Sequence, residues 1–201
     1  MNWDEKTVDT YDSSATELAE YFRGIGSRIT DIEQALKLAK AGEKARIVEI
    51  GCGDGRDAAE IIKRVNWYQG FDPSKELLKL AKQKVTNESL VLAVALSYDY
   101  PENIDIIFAF ASLLHVNKAD IKKVFEKLEG SLRVGGILYI SLKERDRYTE
   151  EVKRDKFGDR MFYYYNVNEI CKLAGKSFKA VYEDHQQIGQ TAWFTLALEK
   201  L

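Results

Sequence analysis

The chain has 201 residues, and at roughly 150 residues per domain that is one domain with small additions. Apolar residues make up 45% and charged residues 31%, a globular mix that excludes a disordered chain. Lys and Arg number 30 against 32 Asp and Glu, so the near-neutral total argues against a general nucleic-acid binder.

Met1–Thr10 is polar and acidic, so no secretory leader is expected, and Ile106–Leu114 is too short an apolar run to cross a membrane. Cys52 and Cys171 are the only cysteines and have no ligand spacing, so neither a disulfide framework nor a metal site is expected, and a cytoplasmic setting follows.

In chain order, Ser14-Ala15-Thr16-Glu17 fits a capping box opening a helix with Leu18, Tyr21 and Phe22 on one face. Thr30-Asp31-Ile32-Glu33 repeats the pattern, and Gly42 stops that second helix. Arg46–Ile50 is a β-branched run ending at Gly51 and reads as a buried strand. A helix over about 56–64, a strand over 67–71, a helix over 75–84 and a strand over 90–96 follow. A nearly all-apolar strand over 105–111, a helix from Asn117 to Gly130 and a strand over 136–142 complete the alternation. Strands alternating with helices imply right-handed crossovers and a parallel sheet covered on both faces. The stretch 143–160 is mixed in charge and reads as a solvated loop or a substrate-gripping lid. After Phe162-Tyr163-Tyr164-Tyr165 come a short helix over 167–174 and two strands, 178–184 and 191–199, expected as an antiparallel edge hairpin.

The segment Glu49-Ile50-Gly51-Cys52-Gly53-Asp54-Gly55-Arg56-Asp57 joins the first strand to the next helix, where open parallel sheets bind ligands. Its glycines let the backbone turn sharply and a ligand approach closely. Gly53-x-Gly55-x-x-Ala58 fits a relaxed dinucleotide fingerprint. The acids Glu49, Asp54 and Asp57 would repel a pyrophosphate and favour a cationic ligand. Asp72, ending the second strand, can accept both hydroxyls of a ribose or, with Ser74, cap the next helix.

Residues 47–58 resemble the first motif of the class I S-adenosylmethionine-dependent methyltransferases. Gly70-Phe71-Asp72-Pro73-Ser74, Ile104-Asp105-Ile106-Ile107 and Leu132-Arg133-Val134-Gly135-Gly136 resemble the family's later motifs, in matching order. Gly-Arg-Asp-Ala, Ser112-Leu113-Leu114-His115 and Ser141-Leu142-Lys143-Glu144 are similar to small bacterial members of undefined acceptor.

The resemblance implies an α/β, Rossmann-like, doubly wound sheet of seven mostly parallel strands with N-terminal helices. The whole chain, 1–201, is then one domain: a helical cover over 1–42, a cofactor core over 45–142 and an acceptor side over 143–201. It implies S-adenosyl-L-methionine as cofactor, S-adenosyl-L-homocysteine as product and a small-molecule acceptor.

The implied cofactor contacts are Glu49, Gly51, Cys52, Gly53, Gly55 and Asp57 on the loop, and Asp72 and Pro73 at the ribose. Leu96 and Ser97 flank the adenine, with Asp99 as a substitute for the family's usual acid, and Phe110, Ala111 and Ser112 face the sulfonium. His115 is a candidate proton acceptor or a structural turn residue, and Tyr11 a candidate cover of the reacting centre or a packing residue. Aminopropyl transfer and cofactor binding without catalysis stay as alternatives, and a nicotinamide-dependent reductase is disfavoured by the acidic loop. The resemblance does not fix the acceptor or the oligomeric state.

Overall fold

In a computed structural model, described over residues 3–85 and 89–201, the chain forms seven α-helices and nine strands among the described residues. Met1 and Asn2, which begin the polar N-terminal segment, lie outside them. Three helices come first: α1 (Trp3–Ser13), α2 (Ala15–Ile25) and α3 (Ile29–Leu38). The alternating core follows as β1 (Arg46–Ile50), α4 (Ala58–Ile61), β2 (Trp67–Asp72), α5 (Lys75–Ala81), β3 (Leu90–Leu92), β4 (Ile104–Phe110), α6 (Lys118–Ser131) and β5 (Leu132–Lys143). Then come β6 (Thr149–Asp155), β7 (Gly158–Tyr164), α7 (Val167–Ala174), β8 (Phe178–Ile188) and β9 (Thr191–Lys200).

Seven strands make one sheet in the order β3-β2-β1-β4-β5-β9-β8. The first five are parallel and β9 and β8 are antiparallel, as expected. Ile47, Val48, Ile106, Ile107, Phe108, Ile137 and Leu138 are fully buried at its centre, which explains why β1, β4 and β5 read as continuous apolar runs. The order reverses between β1 and β4, and the crevice at their carboxyl ends is the place such sheets offer a ligand.

Three local expectations change. Neither capping box forms: Ser14 Oγ instead donates to the Phe157 carbonyl at 2.8 Å, and α3 starts at Ile29 with no side-chain cap. β3 stops at Leu92, because the chain then turns, with Ser97 N and Tyr98 N both donating to the Val94 carbonyl. That turn returns Tyr98 and Tyr100 to pack on Phe71.

The stretch 143–160 is not a loop. β6 and β7 pair as an antiparallel hairpin with Asp155 opposite Gly158. Asp155 Oδ1 accepts from Phe157 N at 2.9 Å and holds the turn. The hairpin rests on α1: Thr10 Oγ1 donates to the Asp159 carbonyl at 2.7 Å, Met161 N donates to Thr7 Oγ1 at 3.0 Å, and Lys6 pairs with Asp159 at 2.8 Å. Helix and hairpin together roof the crevice.

Candidate functional site

Beneath that roof lies a cavity of about 760 Å³, bordered by the carboxyl ends of β1, β2 and β4 below and by α1, α2 and the β6–β7 hairpin above. Glu49, Gly51, Cys52, Gly53, Asp57, Asp72, Pro73, Leu96, Phe110, Ala111, Ser112, His115 and Tyr11 all line it.

The glycine loop is anchored to its neighbours from several sides. Gly51 N and Cys52 N both donate to the Phe71 carbonyl, tying β1 to β2. Gly51 has φ +70°, and a Cβ there would stand 2.3 Å from the Ser112 Cβ, so the turns after β1 and β4 meet in a contact only glycine permits. Gly53, at φ +55°, borders open cavity.

The third glycine serves differently from the expectation. Gly55 does not line the cavity; a Cβ there would stand 3.0 Å from Ala81 Cα on α5, so it is a packing glycine. Ser97 is also displaced: it is exposed, with Oγ 3.5 Å from the Val94 carbonyl, because β3 ended early. Asp99 is exposed and outside the cavity lining too.

The acids divide into two groups. Asp57 is buried and engaged: Oδ1 accepts from Arg28 N at 2.8 Å and Oδ2 from Arg56 Nη2 at 2.6 Å, so it fastens α3 to the loop. Asp54 pairs with Lys84 at 2.5 Å. These two charges are therefore largely neutralised within the fold.

Glu49 and Asp72 are the buried acids that face the cavity without a cationic hydrogen-bond partner. Tyr68 O–H donates to Glu49 Oε2 at 2.6 Å, and burial, reinforced by the Asp57 charge, raises the Glu49 pKa. Asp72 Oδ2 accepts from Gly53 N and Oδ1 from Ser74 N, each at 2.8 Å. A carboxylate oxygen has two acceptor sites, so each still has one to offer. Burial pushes the Asp72 pKa up to about 6, against the two backbone donors that hold it down. Ser74 caps α5 as expected, accepting from Leu77 N.

At the end of β4 the backbone takes unusual paths. Ala111 sits at φ +53°, a left-handed conformation that costs a non-glycine residue roughly 1–2 kcal/mol. The buried Ser112 Oγ has no hydrogen-bond partner within the protein. Such strain and such an unpaired hydroxyl persist where a ligand completes the site.

The roof brings Tyr11 and His115 together. His115 Nδ1 lies 2.6 Å from the Met161 carbonyl, which can only accept, so Nδ1 carries the proton. Nε2 is then an acceptor, and Tyr11 O–H donates to it at 2.9 Å. His115 lines the cavity, and burial with the nearby Arg160 and Lys143 charges lowers its pKa to about 3. Arg160 Nη1 reaches Tyr11 Oη at 3.4 Å. Lys143 and Arg160 also line the cavity; they bound the stretch read as a solvated loop or a substrate-gripping lid, and no sequence pattern singled out either as a site residue.

The described residues hold no cluster of metal-ligating groups and no helix long and apolar enough to span a membrane.

Comparison with known proteins agrees with this geometry. A methyltransferase-domain family model matches residues 47–136, from β1 to the start of the buried part of β5. Over residues 47–136 the chain is similar to a methyltransferase domain.

A trans-aconitate 2-methyltransferase from Rhodopseudomonas palustris (strain BisB18) is 24% identical over 129 residues, covering 62% of this chain and 49% of that protein. The chain thus spans about half the length of that relative. An uncharacterized methyltransferase from Alkaliphilus oremlandii is 23% identical over 184 residues, 84% of each chain. Among solved structures, the Burkholderia thailandensis 1,6-didemethyltoxoflavin-N1-methyltransferase, bound to its acceptor and S-adenosylhomocysteine, superposes with TM-score 0.72. It is 17% identical and covers 98% of this chain and 88% of that one. The chain shares the fold of that methyltransferase.

Proposed function

We propose that the chain transfers a methyl group from S-adenosyl-L-methionine to a small molecule, leaving S-adenosyl-L-homocysteine. The observation that carries the reading is that the glycine loop, Asp72 and the turn after β4 border one roofed cavity. The methyltransferase relatives and the domain match support it.

The residues fit the cofactor. Asp72 keeps one acceptor site per oxygen for the ribose hydroxyls, and a methionine ammonium would favour the ionised form of Glu49, whose pKa burial raises to about 8. Gly53, with open space beside it, and Gly51 would border the amino-acid moiety, the Val94–Leu96 turn would supply an apolar wall for the adenine, and Phe110, Ala111 and Ser112 would face the sulfonium. When bound, the cofactor supplies an activated methyl group on a sulfonium leaving group.

The protein then aligns the acceptor and excludes water, and positioning of this kind supplies much of the rate in a displacement. His115 positions Tyr11: a proton acceptor for work near pH 7 has a pKa near 7, and that of His115 lies far below. Tyr11, its O–H fixed by His115 and its ring toward the cavity, is the roof residue that touches the reactants. Gly55 and Asp57 support the fold around the site, and Ser97 stands outside the cavity lining.

A polyamine, the acceptor in aminopropyl transfer, is disfavoured by the Lys143 and Arg160 cations. A reducing cytoplasm is the setting proposed, and both cysteines are free. Calorimetric titration with S-adenosylhomocysteine tests the reading: one-site binding is expected, and no binding at millimolar ligand overturns it. Unchanged nicotinamide fluorescence on mixing is expected in parallel.

A further inference from the structure

The acceptor half of the cavity holds two cations around one ring. Lys143, at the end of β5, places Nζ 3.6 Å from the Phe162 ring centroid. Arg160, on β7 and only 7% exposed, places Cζ 5.4 Å from the same centroid. Trp193 closes the group, its ring 5.7 Å from Lys143 Nζ.

Countercharge is short there. Arg160 pairs with Asp155 through Nη2, but its buried Nε has no hydrogen-bond partner. No carboxylate among the described residues forms an ion pair with Lys143, and Glu151 is bonded to Arg145. Asp4 and Asp120 also line the cavity, but Asp120 is bonded to Lys123 and Asn117. A half-buried cation without a counter-ion is costly, and a ligand of opposite charge relieves that cost.

We propose that this corner anchors the methyl acceptor: Lys143 and Arg160 hold the single carboxylate of a small planar molecule whose ring lies against Trp193. The inference rests on the methyl-transfer reading above. One unmatched charge beside the Arg160–Asp155 pair suits a monoanion better than a dianion. Trp193, partly exposed in the cavity wall, suits a flat apolar body, with rings that prefer offset or edge contacts.

The protonation of Lys143 gives an independent sign. Burial, then the charges of Lys153 on β6 and Arg160 on β7, lower its pKa to about 7, while Asp155 and Glu151 on β6 oppose them. The neutral His115 faces it from the turn after β4. A carboxylate docked there restores the ammonium, so binding slightly above neutral pH takes up a proton.

The test uses the full chain saturated with S-adenosylhomocysteine. Benzoate and 2-naphthoate are titrated beside benzamide, 2-naphthamide and benzylamine, by saturation-transfer NMR and by calorimetry in two buffers of different ionisation enthalpy. The carboxylates should bind at least about tenfold more tightly than their amides, with proton uptake. Lys143→Met should erase that preference and leave S-adenosylhomocysteine affinity within about threefold. If Lys143→Met does not fold, the carboxylate-over-amide preference of the unaltered chain decides.

Amides or benzylamine binding as tightly as the carboxylates, or no saturable carboxylate binding at tens of millimolar, would overturn the proposal. Carboxylate preference without any S-adenosylhomocysteine binding would uphold the anion site and remove the methyl-transfer reading instead.

Discussion

Asp72→Asn separates ligand binding from folding at the centre of the site. The native carboxylate accepts from Gly53 N and Ser74 N and has one acceptor site left on each oxygen. Hydrogen bonds to a charged acceptor contribute about 1.5–3 kcal/mol each, so losing one ribose contact and weakening the other to a neutral bond costs about 3 kcal/mol. That is a loss of ~100-fold or more in affinity for S-adenosylhomocysteine.

Stability follows a different balance. An amide has one acceptor oxygen, so one backbone N–H loses its partner at a cost of about 1–3 kcal/mol. Against that, burial raises the Asp72 pKa from 3.8 to about 6, so above pH 6 the ionised side chain costs the fold about 3 kcal/mol. Asparagine removes that cost. The variant should therefore melt near the native temperature and bind poorly, as read by calorimetric titration beside a thermal melt at pH 7.5. Affinity within about threefold of the native chain would refute the ribose assignment.

Protonation should act on the same group: S-adenosylhomocysteine affinity should fall as pH drops through about 6, by up to about tenfold per unit, and pH-independent binding from 7 to 5 would contradict this. Gly51→Ala puts a methyl 2.3 Å from the Ser112 Cβ and should lower both the melting temperature and the cofactor affinity, the latter by about tenfold or more. Gly55→Ala meets the α5 backbone instead, so the melting temperature should fall by several degrees while the intact protein keeps most of its affinity, measured by the same titration. The His115 ring should stay neutral and Nδ1-protonated from pH 8 to 5 in nitrogen-15 NMR; a midpoint between 6 and 7 would contradict its placement. The ring signal is the proper readout, since the depressed His115 pKa weakens the fold as pH falls below 6.5 and the raised Asp72 pKa strengthens it over part of that range.

The centre of the sheet was legible because β1, β4 and β5 are buried on both faces and read as apolar runs. β1 and β2 fell within one residue of their expected limits. The roof was not legible, for a physical reason. β6 is almost entirely polar and carries Val152 as its lone aliphatic side chain, so it has no periodicity of its own. It exists because β7 packs on α1, a contact between residues some 150 positions apart.

Lys143 and Arg160 bound the stretch read as a solvated loop or a substrate-gripping lid, and only the hairpin brings them together. The acid count on the glycine loop pointed to a cationic ligand, but two of its three charges are satisfied by Arg56, the Arg28 backbone and Lys84. Glu49 and Asp72, which lie 23 residues apart, carry that argument now. Gly55 shows the limit of reading a glycine pattern as a cradle: three glycines share the left-handed backbone, and only two face the ligand space.

The most direct measurement is a crystal structure of the chain with S-adenosylhomocysteine. The account predicts both ribose hydroxyls on the Asp72 carboxylate, the amino-acid moiety over Gly51 and Gly53, and the sulfur turned toward Tyr11 and Ser112 under the hairpin. A nucleoside bound elsewhere, or one in this cavity with its ribose away from Asp72, would contradict it.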